Sequence, residues 1–191
     1  FVSQGYAPSG PGLASIMEFS MFPWGNAYYG TPPFDKTNGM FPWSIRCGVA
    51  SPPKDCFVED SVNQKLCQHG ANECMVNLLE GCAKFLNPVW TTYMDFVTCL
   101  EDDAAPTSSA SIQKCAASAT VNGTAIQDCA ANSTMAAQVS AASAYATAKL
   151  GTSKLGTPWV IVNGQVLEDP IKDLLPSVCK AWKGTAPAIC P

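Results

Sequence analysis

The run Cys67-Gln68-His69-Gly70-Ala71-Asn72-Glu73-Cys74-Met75-Val76-Asn77-Leu78-Leu79-Glu80-Gly81-Cys82-Ala83-Lys84-Phe85-Leu86 carries a helical period from residue 72 onward. Cys74, Leu78, Cys82 and Phe85 fall on one stripe with Met75, Leu79 and Leu86 beside it, which predicts an amphipathic helix with that stripe turned to a core. A Cys-only zinc site favours short-spaced pairs, whereas Cys67, Cys74 and Cys82 are spread through the run. No metal is expected here, and disulfides are the default for these sulfurs.

Downstream, Val89 to Leu100 has a second, weaker helical pattern. The stretch from Ala104 to Ala148 is dominated by Ala and Ser, and alanine is the best helix former. Helices are expected over 109–119, 124–131 and 134–150, the last with Val139, Ala142, Ala146 and Leu150 as a narrow apolar stripe. Thr157-Pro158-Trp159-Val160-Ile161-Val162 then reads as a strand, Asn163-Gly164 as a turn, and Gln165-Val166-Leu167 as a returning strand. A closing helix over 171–182 turns Leu174, Leu175, Val178 and Trp182 inward.

Upstream, Pro8, Pro11, Gly5, Gly10 and Gly12 prevent a continuous helix over residues 1–15. Residues 15–22 alternate Ile16, Glu18, Ser20 and Phe22 with Met17, Phe19 and Met21, as a strand with one apolar face would. Residues 27–60 have no clear period and carry five prolines, Pro32, Pro33, Pro42, Pro52 and Pro53, so they read as an irregular excursion. The order of strand, helical block, hairpin and helix suits a mixed α/β sheet covered by helices, with a helical insertion over 61–150 inside a single domain spanning 1–191.

Composition narrows the function. Eleven Lys and Arg against fifteen Asp and Glu give a net charge of −4, which repels nucleic-acid phosphates. Only 14% of residues are charged, against about 25% in typical soluble domains, so Ala, Ser, Thr, Gly and Asn must make much of the surface. The apolar runs, such as Leu13 to Phe22, are shorter than a membrane span requires. No signal-peptide pattern precedes the fold, and the chain begins at Phe1, so something upstream is expected to have been removed or left out. Ten cysteines, an even number, point to an oxidising compartment. Cys47 and Cys56 either close a short loop or tie the excursion to the body of the domain. Cys179 and Cys190 flank a short C-terminal segment and are the first pairing expected. Cys67, Cys74, Cys82, Cys99, Cys115 and Cys129 are left to tie the helical block, with connectivity open.

The run from Cys67 to Cys82 resembles the signature of the gamma-interferon-inducible lysosomal thiol reductases, C-Q-H-G-x2-E-C-x2-N-x4-C, and every fixed position matches: Cys67, Gln68, His69, Gly70, Glu73, Cys74, Asn77 and Cys82. Pro23-Trp24-Gly25-Asn26-Ala27 and the segment from Thr157 to Asp169 resemble the same family, so the likeness spans most of the chain. The resemblance implies a thioredoxin-like fold with a helical insertion, an activity that reduces disulfides in protein substrates, a lysosomal, secreted or organelle-lumen location, and no cofactor. It also implies a C-x-x-C pair at the start of the first helix, whose thiolate attacks the substrate disulfide. No two cysteines here stand two residues apart. In the family that pair precedes the Pro-Trp-Gly-Asn-Ala segment by about the distance from Phe1 to Pro23. The expectation is therefore a chain that starts just past its active pair; the alternative is a protein that has lost its first strand and the pair.

For the remaining residues, the resemblance makes Thr157 and Pro158 the loop that accepts substrate backbone, the proline being cis. His69, the only histidine, is expected to be structural, and with no second histidine it cannot anchor a His-based zinc site. Asn122-Gly123-Thr124 and Asn132-Ser133-Thr134 fit the N-glycosylation pattern at Asn122 and Asn132. Two functional classes follow: a disulfide reductase in its full-length form, or a non-catalytic structural subunit of a larger lumenal assembly at a membrane. A disulfide-stapled secreted binding module has only the cysteine count behind it.

Overall fold

The computed structural model of the chain describes residues 12–31, 45–151, 154 and 156–190. Contacts divide it into two units, Met21–Thr157 and a smaller one made of Phe1–Ser20 with Pro158–Pro191. The prolines and glycines before residue 12, and Pro32, Pro33 and Pro42, lie outside the described residues.

In the larger unit an antiparallel ribbon pairs β1 (Tyr28–Gly30) with β2 (Gln64–Leu66), placing Tyr28 opposite Leu66, Tyr29 opposite Lys65 and Gly30 opposite Gln64. Five helices follow: α1 (Ala71–Leu86), α2 (Trp90–Glu101), α3 (Ser109–Ser118), α4 (Gly123–Ala131) and α5 (Ser133–Ala148). Three begin on a side chain that accepts from otherwise unpaired N–H groups. Ser108 caps α3 through Ser111 N–H at 3.1 Å, Asn122 caps α4 through Ala125 N–H at 3.0 Å, and Asn132 caps α5 through Thr134 and Met135 N–H, both at 3.1 Å. Helix α1 packs on α2, α4 and α5. At its crossing with α5 only glycine fits, because a β-carbon on Gly81 would lie 2.4 Å from Val139 Cγ1.

Crosslinks fix this block. Cys82–Cys129 joins α1 to α4, Cys99–Cys115 joins α2 to α3, and Cys67–Cys74 joins the end of β2 to the first turn of α1. Cys47 pairs with Cys56, nine positions on, rather than with the helices. Trp24, Tyr28, Tyr29, Phe57 and Ala144 pack around that bridge. In the smaller unit, β3 (Ile161–Val162) and β4 (Gln165–Val166) form a second ribbon. Helix α6 (Pro170–Ala181) starts at Asp169, which accepts from Lys172 N–H, with Pro170 in its first turn. Leu13, Leu167, Leu174 and Val178 form its core, and Cys179 pairs with Cys190.

The chain is thus mixed α/β, mostly helical, with small sheets and five disulfides. Several expectations need correction. Residues 15–22 do not form a strand: a 3-10 turn covers Leu13–Ser15 and the rest carries no regular structure. Side chains hold that backbone where a neighbouring strand would have to, since Met21 N–H donates to Tyr93 Oη at 3.4 Å and Met21 C=O accepts from Lys84 Nζ at 2.5 Å. The excursion 27–60 is not wholly irregular, because it holds β1 and a 3-10 turn, Lys54–Phe57. On α1 the buried line is Val76, Leu79, Glu80, Cys82 and Ala83, while Met75, Phe85 and Leu86 are exposed. The close Gly81 crossing and the Cys82 bridge set the rotation of this helix, and they turn part of the expected stripe outward. On α5, Ser143, Ala144 and Thr147 are buried with Val139 and Ala142 is exposed, because alanine and serine are small enough to occupy either face. In the closing helix, Trp182 falls past the last turn and is 40% exposed rather than inward. The two ribbons are separate among the described residues, so a larger mixed sheet is not seen there.

Candidate functional site

The signature residues converge on the turn Pro23-Trp24-Gly25-Asn26. Gln68 Oε1 accepts from Asn26 Nδ2 at 2.6 Å, and Asn26 Oδ1 accepts from Lys154 Nζ at 3.1 Å. Glu73 reaches back from the first turn of α1 to accept from His69 N–H at 2.6 Å, and its same oxygen lies 2.9 Å from His69 Nδ1. This carboxylate does what a capping side chain does, because Gly70, at φ +94°, offers none of its own. Gly25 lies against Glu73 and Asn77: a β-carbon there would sit 3.0 Å from Glu73 Oε1 and 3.8 Å from Asn77 Nδ2. Cys67 and Cys74 bracket this loop with their bridge.

Behind the turn lies a set of buried and half-buried ionisable groups that the sequence reading missed. The Lys65 ammonium stands 4.7 Å over the Trp24 ring, and burial lowers it to about 8 against the pull of Glu73 and Glu80. Lys154, 7% exposed, is lowered to about 8 by burial. Glu80, 5% exposed, is raised well above the ordinary carboxylate range, first by burial and then by a hydrogen bond and charge from Glu101, with Lys65 opposing. One signal was available: Val76, Glu80 and Ala83 share one helical line, so an acid sits among small apolar residues. For Lys65 and Lys154 the sequence held none.

A shallow cleft of about 210 Å³ opens beside Lys65, lined by Tyr29, Glu59, Ser133, Ala136, Ala137 and Ser140. It is smaller than the roughly 300 Å³ of ordinary ligand pockets and has room for little more than one side chain. Thr157 and Pro158 are exposed in a bend ahead of β3. Asn122 and Asn132 are exposed at the helix starts they cap. Cys82 is wholly buried in its bridge to Cys129. Among the described residues no group of three or more His, Cys, Asp or Glu is placed to hold a metal, and no helix is long and apolar enough to cross a membrane.

The arrangement positions a turn against a helix start, and all ten cysteines are spent in bridges. A family model described as "Gamma interferon inducible lysosomal thiol reductase (GILT)" matches residues 53–119, the stretch that contains this loop. The "Gamma-interferon-responsive lysosomal thiol protein" of Arabidopsis thaliana is 33% identical over 129 residues, covering 65% of this chain and 52% of that protein. By these matches the chain resembles the GILT family. The mouse "Gamma-interferon-inducible lysosomal thiol reductase" is 33% identical over 138 residues, 65% of this chain and 49% of that protein. This chain therefore spans about half the length of the curated GILT relatives it matches.

Proposed function

We propose that the protein carrying this chain is a GILT-type thiol–disulfide oxidoreductase acting on disulfides of protein substrates, and that these 191 residues supply its frame rather than its attacking thiol. The observation behind this reading is the pairing of every cysteine within a chain that resembles the GILT family. Only a thiolate attacks a disulfide sulfur, so turnover by the usual mechanism needs a C-x-x-C pair that this sequence does not contain. In this reading residues 61–150 are a helical insertion in a thioredoxin-like domain, and the exposed Thr157 and Pro158 face the substrate backbone. The five disulfides fit an oxidising compartment. A lysosomal location and glycans at Asn122 and Asn132 belong to the same proposal.

The protein, purified as its own cell makes it, is assayed for insulin reduction at acid pH with a small thiol as reductant, beside the 191-residue chain alone. Turnover by the natural protein and none by the isolated chain is expected. Absence of turnover by the natural protein removes the enzyme reading.

A second reading is a non-catalytic subunit of a larger lumenal assembly. It is favoured by the apolar side chains at the end of α1, where Phe85 is 58% and Val89 62% exposed, with Phe22, 48% exposed, beside the Lys84 ammonium. Stable co-purification with other chains and no thiol turnover supports it; a lone active monomer rejects it.

A further inference from the structure

The five disulfides differ in accessibility and in helix position. Cys47–Cys56 and Cys82–Cys129 have both cysteines at 1% exposure or less; in Cys99–Cys115, Cys99 is partly exposed but lies in the last turn of α2 and its partner Cys115 is at 0%. Two bridges remain. In Cys67–Cys74 the second residue is partly exposed and the first is at 7%, and in Cys179–Cys190 both are partly exposed.

Helix polarity separates these two. Cys74 is the fourth residue of the 16-residue α1, its own N–H bonded to Gly70 C=O, where the aligned peptide dipoles favour a thiolate and the neighbouring Glu73 carboxylate opposes them. Cys179 is in the last turn of α6, where the same dipoles oppose one. Cys67–Cys74 also spans the shortest separation of the five, 7 residues against 9 to 47, so it restrains the unfolded chain least and the fold's stability depends on it least.

We propose that Cys67–Cys74 is the exchangeable disulfide of this chain, reduced by an external dithiol of the C-x-x-C class. One thiolate of the dithiol attacks the more exposed Cys74 sulfur. The Cys67–Cys74 bond breaks, its electron pair leaves on Cys67, and Cys67 takes up a proton. The second thiolate of the dithiol then attacks the dithiol's first sulfur in the mixed disulfide, and the bond from that sulfur to Cys74 breaks. The dithiol becomes a disulfide, and Cys74 departs as a thiolate held by the start of α1. Two electrons pass from the dithiol to the bridge; of its two protons, one ends on Cys67 and one goes to solvent. Opening frees the loop 68–73, whose Gln68 holds Asn26 and whose His69 is tied to Glu73. The proposal rests on burial and helix position and does not require the protein to turn over substrate disulfides.

The natural full-length protein is incubated under native conditions with graded dithiothreitol, quenched in acid, alkylated and mapped by peptide mass spectrometry, with helicity followed by circular dichroism. Cys67 and Cys74 should label at about tenfold lower dithiol than any other cysteine of this chain, before helicity changes. Earlier opening of Cys179–Cys190 or any other bridge overturns the proposal, as does joint opening of all five with loss of helicity. In the selectively reduced protein, the rate of iodoacetamide alkylation against pH gives each thiol's midpoint. Cys74 should fall below the ordinary value of about 8.5, and a midpoint at or above it overturns the proposed role of the helix start.

Discussion

Gly25 and Glu73 lie in contact across the interface between the Pro-Trp-Gly-Asn turn and α1, close enough that a β-carbon on Gly25 would stand 3.0 Å from Glu73 Oε1. Gly25 also has φ +59°, a left-handed conformation that costs other residues about 1 to 3 kcal/mol. Gly25→Ala is therefore expected to lose about 2 kcal/mol of stability, read as a shift of the urea midpoint with unchanged slope. Truncating Glu73 as well should not recover it, because the backbone strain remains and the cap on His69 N–H is lost.

Glu80 makes the fold acid-tolerant. Its carboxyl is buried among Ala83, Val76 and the Glu101 side chain and is held protonated well above its unfolded value. A group with a raised native pKa stabilises the fold fully below the unfolded value, and that contribution fades as pH rises through the native value. Stability should therefore fall as pH climbs from the unfolded carboxylate range through the raised native value. Glu80→Gln removes the titration and should flatten the profile between acid and neutral pH. Lys65 and Lys154, lowered to about 8, contribute a separate rise in stability from pH about 8 upward as they shed their protons. The measurement is urea unfolding across pH for both proteins; an unchanged slope in Glu80→Gln rejects the assignment.

Helices were the legible part of this protein, and the reason is local. Ala-rich segments, an Asn or Ser at the starts of α3, α4 and α5 and a clear period in 72–86 all act within a few residues, so the helix positions follow from nearest-neighbour chemistry. Rotation was less legible. Phe85 and Leu86 face outward because a crossing at Gly81 and a bridge at Cys82 fix α1, and those are contacts with residues about fifty positions away. β1 was missed because a strand of three residues, all buried, has no alternation to show. At the candidate site, Gln68, Glu73 and Cys74 were marked by family resemblance. Asn26 lay in a second segment of that resemblance, but Lys65 and Lys154 were not marked, since a lysine at the surface and a lysine under a tryptophan look alike in sequence.

Bridges of different span should differ in what they contribute. Loop-closure arithmetic gives about 4 kcal/mol for the 47-residue span of Cys82–Cys129 and about 2 kcal/mol for the 7-residue span of Cys67–Cys74. Cys82→Ala with Cys129→Ala is thus expected to be the more damaging double substitution. Its two sulfurs are also wholly buried, which adds a cavity to the lost crosslink. Thermal unfolding of the two double variants under the same buffer checks the order.

The Gly81 crossing predicts a coupled pair. Gly81→Ala places a methyl group 2.4 Å from Val139 Cγ1, and overpacking of this kind costs about 1 to 3 kcal/mol. Val139→Ala alone loses buried apolar surface, yet in the Gly81→Ala background it removes the clashing group. The double variant should be more stable than the sum of the single changes implies, by about 1 kcal/mol or more. Strict additivity in a double-mutant cycle would place the strain elsewhere in α5.

Asn132 separates two roles that share one side chain. Its Oδ1 caps α5 through Thr134 and Met135 N–H, whereas a glycan would be attached at Nδ2, so cap and sugar are chemically compatible. Asn132→Asp keeps the capping oxygen and abolishes the acceptor, and Thr134→Ala abolishes the acceptor pattern from the other side. If Asn132 carries a glycan, both lose one glycan in mass and both unfold within about 0.5 kcal/mol of the enzymatically deglycosylated parent. Asn132→Ala loses the same mass and in addition about 1 kcal/mol from the missing cap. Equal unfolding free energies for the Asp and Ala variants would show that the cap contributes nothing, and an unchanged mass in all three would show that the site is unmodified.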